Sequence, residues 1–185
     1  MSHAVCPWWL GYYLLNPLRG ILQNPEKLLA KYVQEGMSVM DIGSGMGYFT
    51  LPLARLAGET GRVIAIDLQD KMIAALRKRA ANHGLANRIE ARVCSNGSLQ
   101  ISEFAEKIDF ALAFAVIHEV PDQDRLLREI YSALKPAGRL LISEPSFHVS
   151  RKDFQNTILL AQSRGFTLVE YPEIKMSISA LLARI

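Results

Sequence analysis

The residues best suited to chemistry fall in one short stretch, Val39-Met40-Asp41-Ile42-Gly43-Ser44-Gly45-Met46-Gly47, where an apolar run leads into a loop with glycine at every second position. Glycine lacks a Cβ, so the backbone can turn sharply there and a ligand can lie directly on it. The helix expected next offers unpaired N–H groups at its start, which suits a nucleotide-like cofactor. A second acid, Asp67, closes the following apolar run, Ile64-Ala65-Ile66-Asp67. It lies about twenty residues past the loop, a separation at which a carboxylate can accept both hydrogen bonds of a ribose diol. A tight turn alone would account for the glycines and a helix cap for Asp67. Loop, spacing and acid together favour a cofactor site.

Two further segments carry groups able to move a proton: Ala115-Val116-Ile117-His118-Glu119-Val120-Pro121-Asp122 and Glu144-Pro145-Ser146-Phe147-His148. His118 is the candidate general base, because an imidazole titrates near neutral pH, and Glu119 beside it is a second candidate catalytic residue. The rival role for His118 is to order its loop by hydrogen bonding. His118, Glu119, Glu144 and His148 would suit a divalent metal only on convergence in space, and the sequence assigns no metal.

These groups need a scaffold, and the chain supplies a regular one. From about residue 25, short β-rich runs alternate with stretches of helical period, the pattern of parallel strands joined by crossover helices. Asn24-Pro25-Glu26 starts a helix that is predicted to reach Gln34. Strands follow at 38–42, 62–66 and 88–93, separated by helices at 48–57 and at 70–82, the latter capped by Asp70. Ile108 to Val116 is apolar almost throughout, as a strand covered on both faces should be. A helix opened by Pro121 and Asp122 reaches Leu134, a fifth strand spans 139–143, and a helix spans 150–164. The last two strands, 166–171 and 175–183, are joined by only a short turn at Pro172. That connection cannot carry a crossover helix, so the two should pair antiparallel. The predicted fold is a doubly wound, Rossmann-like α/β sheet of seven strands, mostly parallel, with a reversed last strand and helices on both faces.

At this point the sequence resembles the class I S-adenosylmethionine-dependent methyltransferases, whose first motif is an acid followed by G-x-G-x-G. Asp41, Gly43, Gly45 and Gly47 match it in register. Asp67 stands where that family places its ribose-binding acid, and Leu134-Lys135-Pro136-Ala137-Gly138-Arg139-Leu140 resembles the turn before its fifth strand. The resemblance runs from about residue 25 to the end. It implies S-adenosylmethionine as cofactor, held by Asp41, Gly43, Ser44, Gly45, Gly47, Asp67 and Leu68. Ser95 and Asn96 stand where the family often has an adenine-binding acid, and Ala115 follows the fourth strand. It further implies a crevice at the C-terminal ends of the first and fourth strands.

Methyl transfer from a sulfonium is an in-line displacement, so the protein's part is alignment and, where needed, proton removal. The first alternative is an NAD-dependent oxidoreductase. It is weakened because Tyr48 stands where a dinucleotide fingerprint wants its third glycine. The second is a module that binds S-adenosylmethionine without catalysis.

Composition narrows the remaining choices. Half of the 185 residues are hydrophobic and 21% are charged, the balance of a globular chain. The net charge of +3 carries no long basic run; Arg77, Lys78 and Arg79 beside Lys71 read as the solvated face of one helix. A nucleic-acid partner is therefore not expected, and a small-molecule acceptor is. Cys6 and Cys94 lack metal or redox spacing, which suits a reducing, cytoplasmic setting. Residues 1–24 form a segment apart from the domain at 25–185. Its aromatic stretch, with Trp8, Trp9, Tyr12 and Tyr13, is interrupted by Pro7, Gly11, Pro17 and Arg19, so it reads as neither leader nor membrane anchor. A lid or an acceptor wall is its expected role, with outside packing or a homodimer contact as the rival.

Overall fold

The computed structural model describes residues 24–95 and 97–185. The aromatic N-terminal segment and Asn96 lie outside the described residues. Backbone contacts group the chain into two compact units that meet in sequence between Cys94 and Ser95.

The first unit opens with α1, Pro25–Leu29, where Asn24 caps by accepting the Lys27 N–H at 3.1 Å and Pro25 takes the first turn. The helix is shorter than its sequence period suggests. Beyond Leu29 the chain tightens into turns, and the Tyr32 and Val33 N–H groups both donate to the Leu29 carbonyl. Three parallel strands follow: β1 (Ser38–Ile42), β2 (Arg62–Asp67) and β3 (Ile89–Val93). In register, Asp41 lies opposite Ala65 and Asp67 opposite Val93. Val63 to Ile66 are wholly buried, so β2 is covered on both faces. The connections are α2 (Thr50–Leu56) and α3 (Asp70–Asn82). Met72, Ile73, Leu76 and Ala80 form the buried stripe of α3. Met72, Ile73 and Leu76 each contribute about 1.5–3 kcal/mol by leaving water, and Ala80 less. Asp70 does not cap this helix. It is the first helical residue, its carboxylate accepts the Lys71 N–H, and the capping position falls to Gln69. The basic face of α3 is also more than solvated: Arg77 donates to the Ala91 carbonyl at 2.6 Å and Arg79 to the Met46 carbonyl, fastening the helix to β3 and to the glycine loop.

The second unit contains β4 (Ile108–Phe114), α4 (Gln123–Ala133), β5 (Leu134–Pro145), α5 (Arg151–Ser163), β6 (Phe166–Glu170) and β7 (Ser177–Arg184). Asp122 caps α4 by accepting the Arg125 N–H, and Ser150 caps α5 by accepting the Asp153 N–H. β5 is longer than its expected span. Ile108 pairs with Leu134 and Phe110 with Arg139, so Lys135–Gly138 bulges out of the ladder while the strand continues on both sides. Ala137 takes a positive φ of 63° in that bulge. β7 pairs antiparallel with both β5 and β6, as the short final connection requires. The seven strands run in the order β3-β2-β1-β4-β5-β7-β6, a mostly parallel sheet with one reversed strand. No helix among the described residues is long and apolar enough to cross a membrane.

Candidate active site

The glycine loop hangs on the end of β2. The N–H groups of Gly43 and Ser44 both donate to the Ile66 carbonyl, at 2.9 and 3.0 Å. Asp67 then grips the loop from the neighbouring strand. Its Oδ2 accepts the Gly45 N–H at 2.8 Å and its Oδ1 accepts the Gln69 N–H at 2.9 Å. Each carboxylate oxygen keeps a lone-pair direction beyond the bond it already has, so a diol can still be received there. Burial raises the Asp67 pKa from the usual carboxylate range, and the N–H bonds from Gln69, Gly45 and Leu68 oppose that rise.

The two later glycines have different reasons for being glycine. At Gly45, φ +53°, an added Cβ would meet nothing within 4 Å, so the backbone surface is open. At Gly47, φ +87°, an added Cβ would fall 2.3 Å from Leu76 Cδ1 and 2.8 Å from Leu51 Cδ1, so packing forbids a side chain. Ser44 is buried, and its hydroxyl oxygen has no hydrogen-bond partner among the described residues. An orphaned buried hydroxyl and an uncovered glycine backbone beside an acid are the features a polar cofactor would complete.

Asp41 sits beneath the loop. It is buried, its Oδ2 accepts a 2.5 Å hydrogen bond from Thr50 Oγ1, and its pKa is pushed up to about 7, first by burial and secondarily by the nearby Asp67. Thr50, at the first turn of α2, is a site-supporting residue that the sequence reading missed; its only signal was a hydroxyl at the start of the helix after the loop. Leu68 is partly exposed at the end of β2. Ser95 forms an isolated antiparallel bridge to Ser98, and its hydroxyl reaches the Ser98 carbonyl at 3.5 Å.

In the second unit, Ala115 ends β4 in a left-handed conformation, φ 55°, with its N–H donating to the Ser143 carbonyl at 2.7 Å. This strained residue turns the chain into the short 3-10 turn Ile117–Glu119. His118 Nδ1 lies 2.5 Å from Glu144 Oε2, His118 Nε2 lies 4.0 Å from Glu119 Oε1, and the rings of His118 and His148 meet edge to face at 4.9 Å. The four groups therefore gather around one imidazole. Among the described residues, however, no three such side chains are arranged to hold a metal ion. The Glu144 hydrogen bond, and to a smaller degree the charges of Glu144 and Glu119, raise the His118 pKa above its ordinary value, with burial opposing.

A methyltransferase-domain profile matches residues 33–173. The chain belongs to the methyltransferase-domain family, and its sheet is that of the class I S-adenosylmethionine-dependent methyltransferases. It is 33% identical to the ubiquinone/menaquinone biosynthesis C-methyltransferase UbiE of Klebsiella pneumoniae over 112 residues, which cover 60% of this chain and 44% of that protein. The UbiE of Escherichia coli O1:K1 matches over the same shares at 32%. The chain thus spans less than half the length of the curated relatives it matches. An S-adenosylmethionine-dependent methyltransferase from Aquifex aeolicus shares the fold with a TM-score of 0.87 and 23% identity, over 98% of this chain and 100% of that one. Geranyl diphosphate C-methyltransferase from Streptomyces coelicolor, solved with S-adenosyl-L-homocysteine, gives 0.71 and 13%, over 88% and 79%.

Proposed function

We propose that this chain transfers the methyl group of S-adenosylmethionine to a small-molecule acceptor. The observation that carries this reading is the open backbone at Gly45 held by Asp67, in a chain of the methyltransferase-domain family. Gly43, Ser44, Gly45, Asp67 and Leu68 would hold the cofactor, with Asp41 and Gly47 supporting the loop from within. Ser95, Asn96 and Ala115 are further contacts in this proposal. The cofactor supplies an electrophilic methyl carbon on sulfonium sulfur. The protein's own work is to orient it and to take a proton from the acceptor where the acceptor carries one.

The curated relatives are named for C-methylation in ubiquinone and menaquinone biosynthesis, which supports an aromatic-ring acceptor for this chain. Two cysteines without metal or redox spacing, Cys94 outside any disulfide, support a reducing, cytoplasmic setting. Residues 1–24 are proposed as the lid or acceptor wall, or as a homodimer contact. Residues 25–185 are proposed as the cofactor-binding domain.

Thermal unfolding tests the cofactor. At about a hundred times the dissociation constant, S-adenosylmethionine and S-adenosylhomocysteine should each add about 2.7 kcal/mol of stability, a shift of several degrees. NADH should add none; stabilisation by NADH alone would replace the reading with an oxidoreductase. Asp67→Ala should weaken S-adenosylmethionine binding about 10- to 100-fold in a calorimetric titration, through loss of the ribose acceptor. The same variant should unfold at lower temperature than the wild type, because the Gly45 and Gln69 N–H groups lose their acceptor. Unchanged affinity would remove Asp67 from the site.

A further inference from the structure

Glu144 is 2% exposed, and both of its carboxylate oxygens are committed to the turn that carries His118. Oε1 accepts the Ile117 N–H at 2.8 Å, and Oε2 meets His118 Nδ1 at 2.5 Å. The same turn is held from the other side. Gln123 Nε2 donates to the Ile117 carbonyl at 3.2 Å, and Thr157 Oγ1 in turn donates to Gln123 Oε1 at 3.0 Å. Groups from β5, α4 and α5 therefore fix one imidazole. Its other nitrogen, Nε2, is 4.0 Å from Glu119 Oε1, beyond hydrogen-bond distance. The titratable groups that face the ring are Glu144, Glu119 and His148.

We propose that Glu144 is a positioning residue that holds His118 with its proton on Nδ1, so that Nε2 serves as the base for an acceptor bearing a phenolic or enolic hydroxyl. This rests on the methyl-transfer reading above. His118 Nε2 takes the hydroxyl proton. The electron pair left behind, shared between the oxygen and the conjugated carbon, forms the new bond to the methyl carbon. The carbon–sulfur bond breaks with its pair on sulfur, leaving a thioether, and the hydroxyl proton rests on His118. Where the bond forms at carbon, that carbon then releases its own hydrogen as a proton to solvent and His118 returns its proton to the oxygen, restoring the hydroxyl. Glu144 stabilises the imidazolium as it forms, without itself taking the proton. An acid that orients a histidine acts in this way in triad hydrolases.

Two measurements test the assignment. In wild-type protein labelled with ¹⁵N at histidine, the signal missing from His118→Gln should report a protonated Nδ1 and a bare Nε2 at high pH. It should titrate above the ordinary imidazole range. A signal showing the proton on Nε2 overturns the proposal, and this arm needs neither cofactor nor turnover. The second arm is the pH profile of methyl transfer from S-adenosylmethionine to a reduced 1,4-naphthoquinol. Activity should rise with pH as His118 loses its proton. Glu144→Gln should lower the plateau about 100-fold and move the rising limb about one pH unit toward acid. A purely structural Glu144 would lower activity and leave the limb in place, which overturns the proposal. So does absence of turnover on the phenolic probe by wild-type protein that S-adenosylmethionine stabilises. Absence of that stabilisation instead strikes the methyl-transfer reading itself.

Discussion

Gly45→Val is expected to abolish S-adenosylmethionine binding, with an affinity loss of about 1,000-fold or more, equivalent to about 4 kcal/mol. The space above Gly45 is open to the extent that a Cβ there meets no atom within 4 Å, and Asp67 holds the Gly45 N–H from the side. A ligand lying on that backbone would meet the added methyl groups directly. The substitution also carries a folding cost of about 1–3 kcal/mol, because a β-branched residue tolerates φ +53° poorly. Two companions separate the effects. Gly45→Ala adds a single carbon in open space, so it should lose about 1 kcal/mol of stability to backbone strain while still losing most affinity. Gly47→Ala drives its Cβ toward Leu76 and Leu51, so it should lose about 1–3 kcal/mol through overpacking. Calorimetric titration beside thermal unfolding reads both quantities. Wild-type affinity in folded Gly45→Val would show that the ligand does not lie on this loop.

The contrast between those glycines also marks where sequence reasoning reaches and where it stops. Alternation of glycine with other residues after an apolar run announces a loop of unusual backbone, and β1 falls at Ser38–Ile42 as its pattern predicts. The pattern does not say which glycine serves a ligand and which serves a leucine, because that depends on residues brought in by α3. The fold was legible wherever one periodicity dominated: parallel strands, crossover helices and the reversed last strand. It was less legible where a local preference yields to a longer-range bond. Asp70 has the right type and place for a cap, yet Gln69 takes the capping position while its N–H is held by Asp67. The Lys135–Gly138 segment reads as a turn before a strand, and it is a bulge within one, because Leu134 already pairs with Ile108. The proton-handling groups show the same limit. His118 and Glu144 are 26 residues apart, and only the β4–β5 pairing explains how an acid at the end of one strand reaches the turn after the other.

Asp41 should make the protein less stable as pH rises, opposite to the usual behaviour of a carboxylate. Its pKa in the folded chain is about 7 because burial disfavours the charge, and the bond from Thr50 offsets this only in part. The folded state thus binds a proton that the unfolded state has already released. The resulting stability is fully present below about pH 4 and is lost as pH climbs through about 7, a total of about 4 kcal/mol. The raised pKa of Asp67 acts with the same sign. Asp41→Asn keeps an oxygen acceptor for the Thr50 hydroxyl but carries no charge. It should flatten this part of the pH profile in urea unfolding and be more stable than wild type above pH 7. Matching profiles for the two proteins would show that Asp41 does not titrate in this range. S-adenosylmethionine carries positive charge at its sulfonium, and a cation near the loop favours the ionised form of both acids. Saturating cofactor should therefore weaken the pH dependence in wild type, and weaken it less in Asp41→Asn, where only Asp67 still titrates. The acid beneath the glycine loop then ties proton release to cofactor binding, at the expense of the stability of the empty protein.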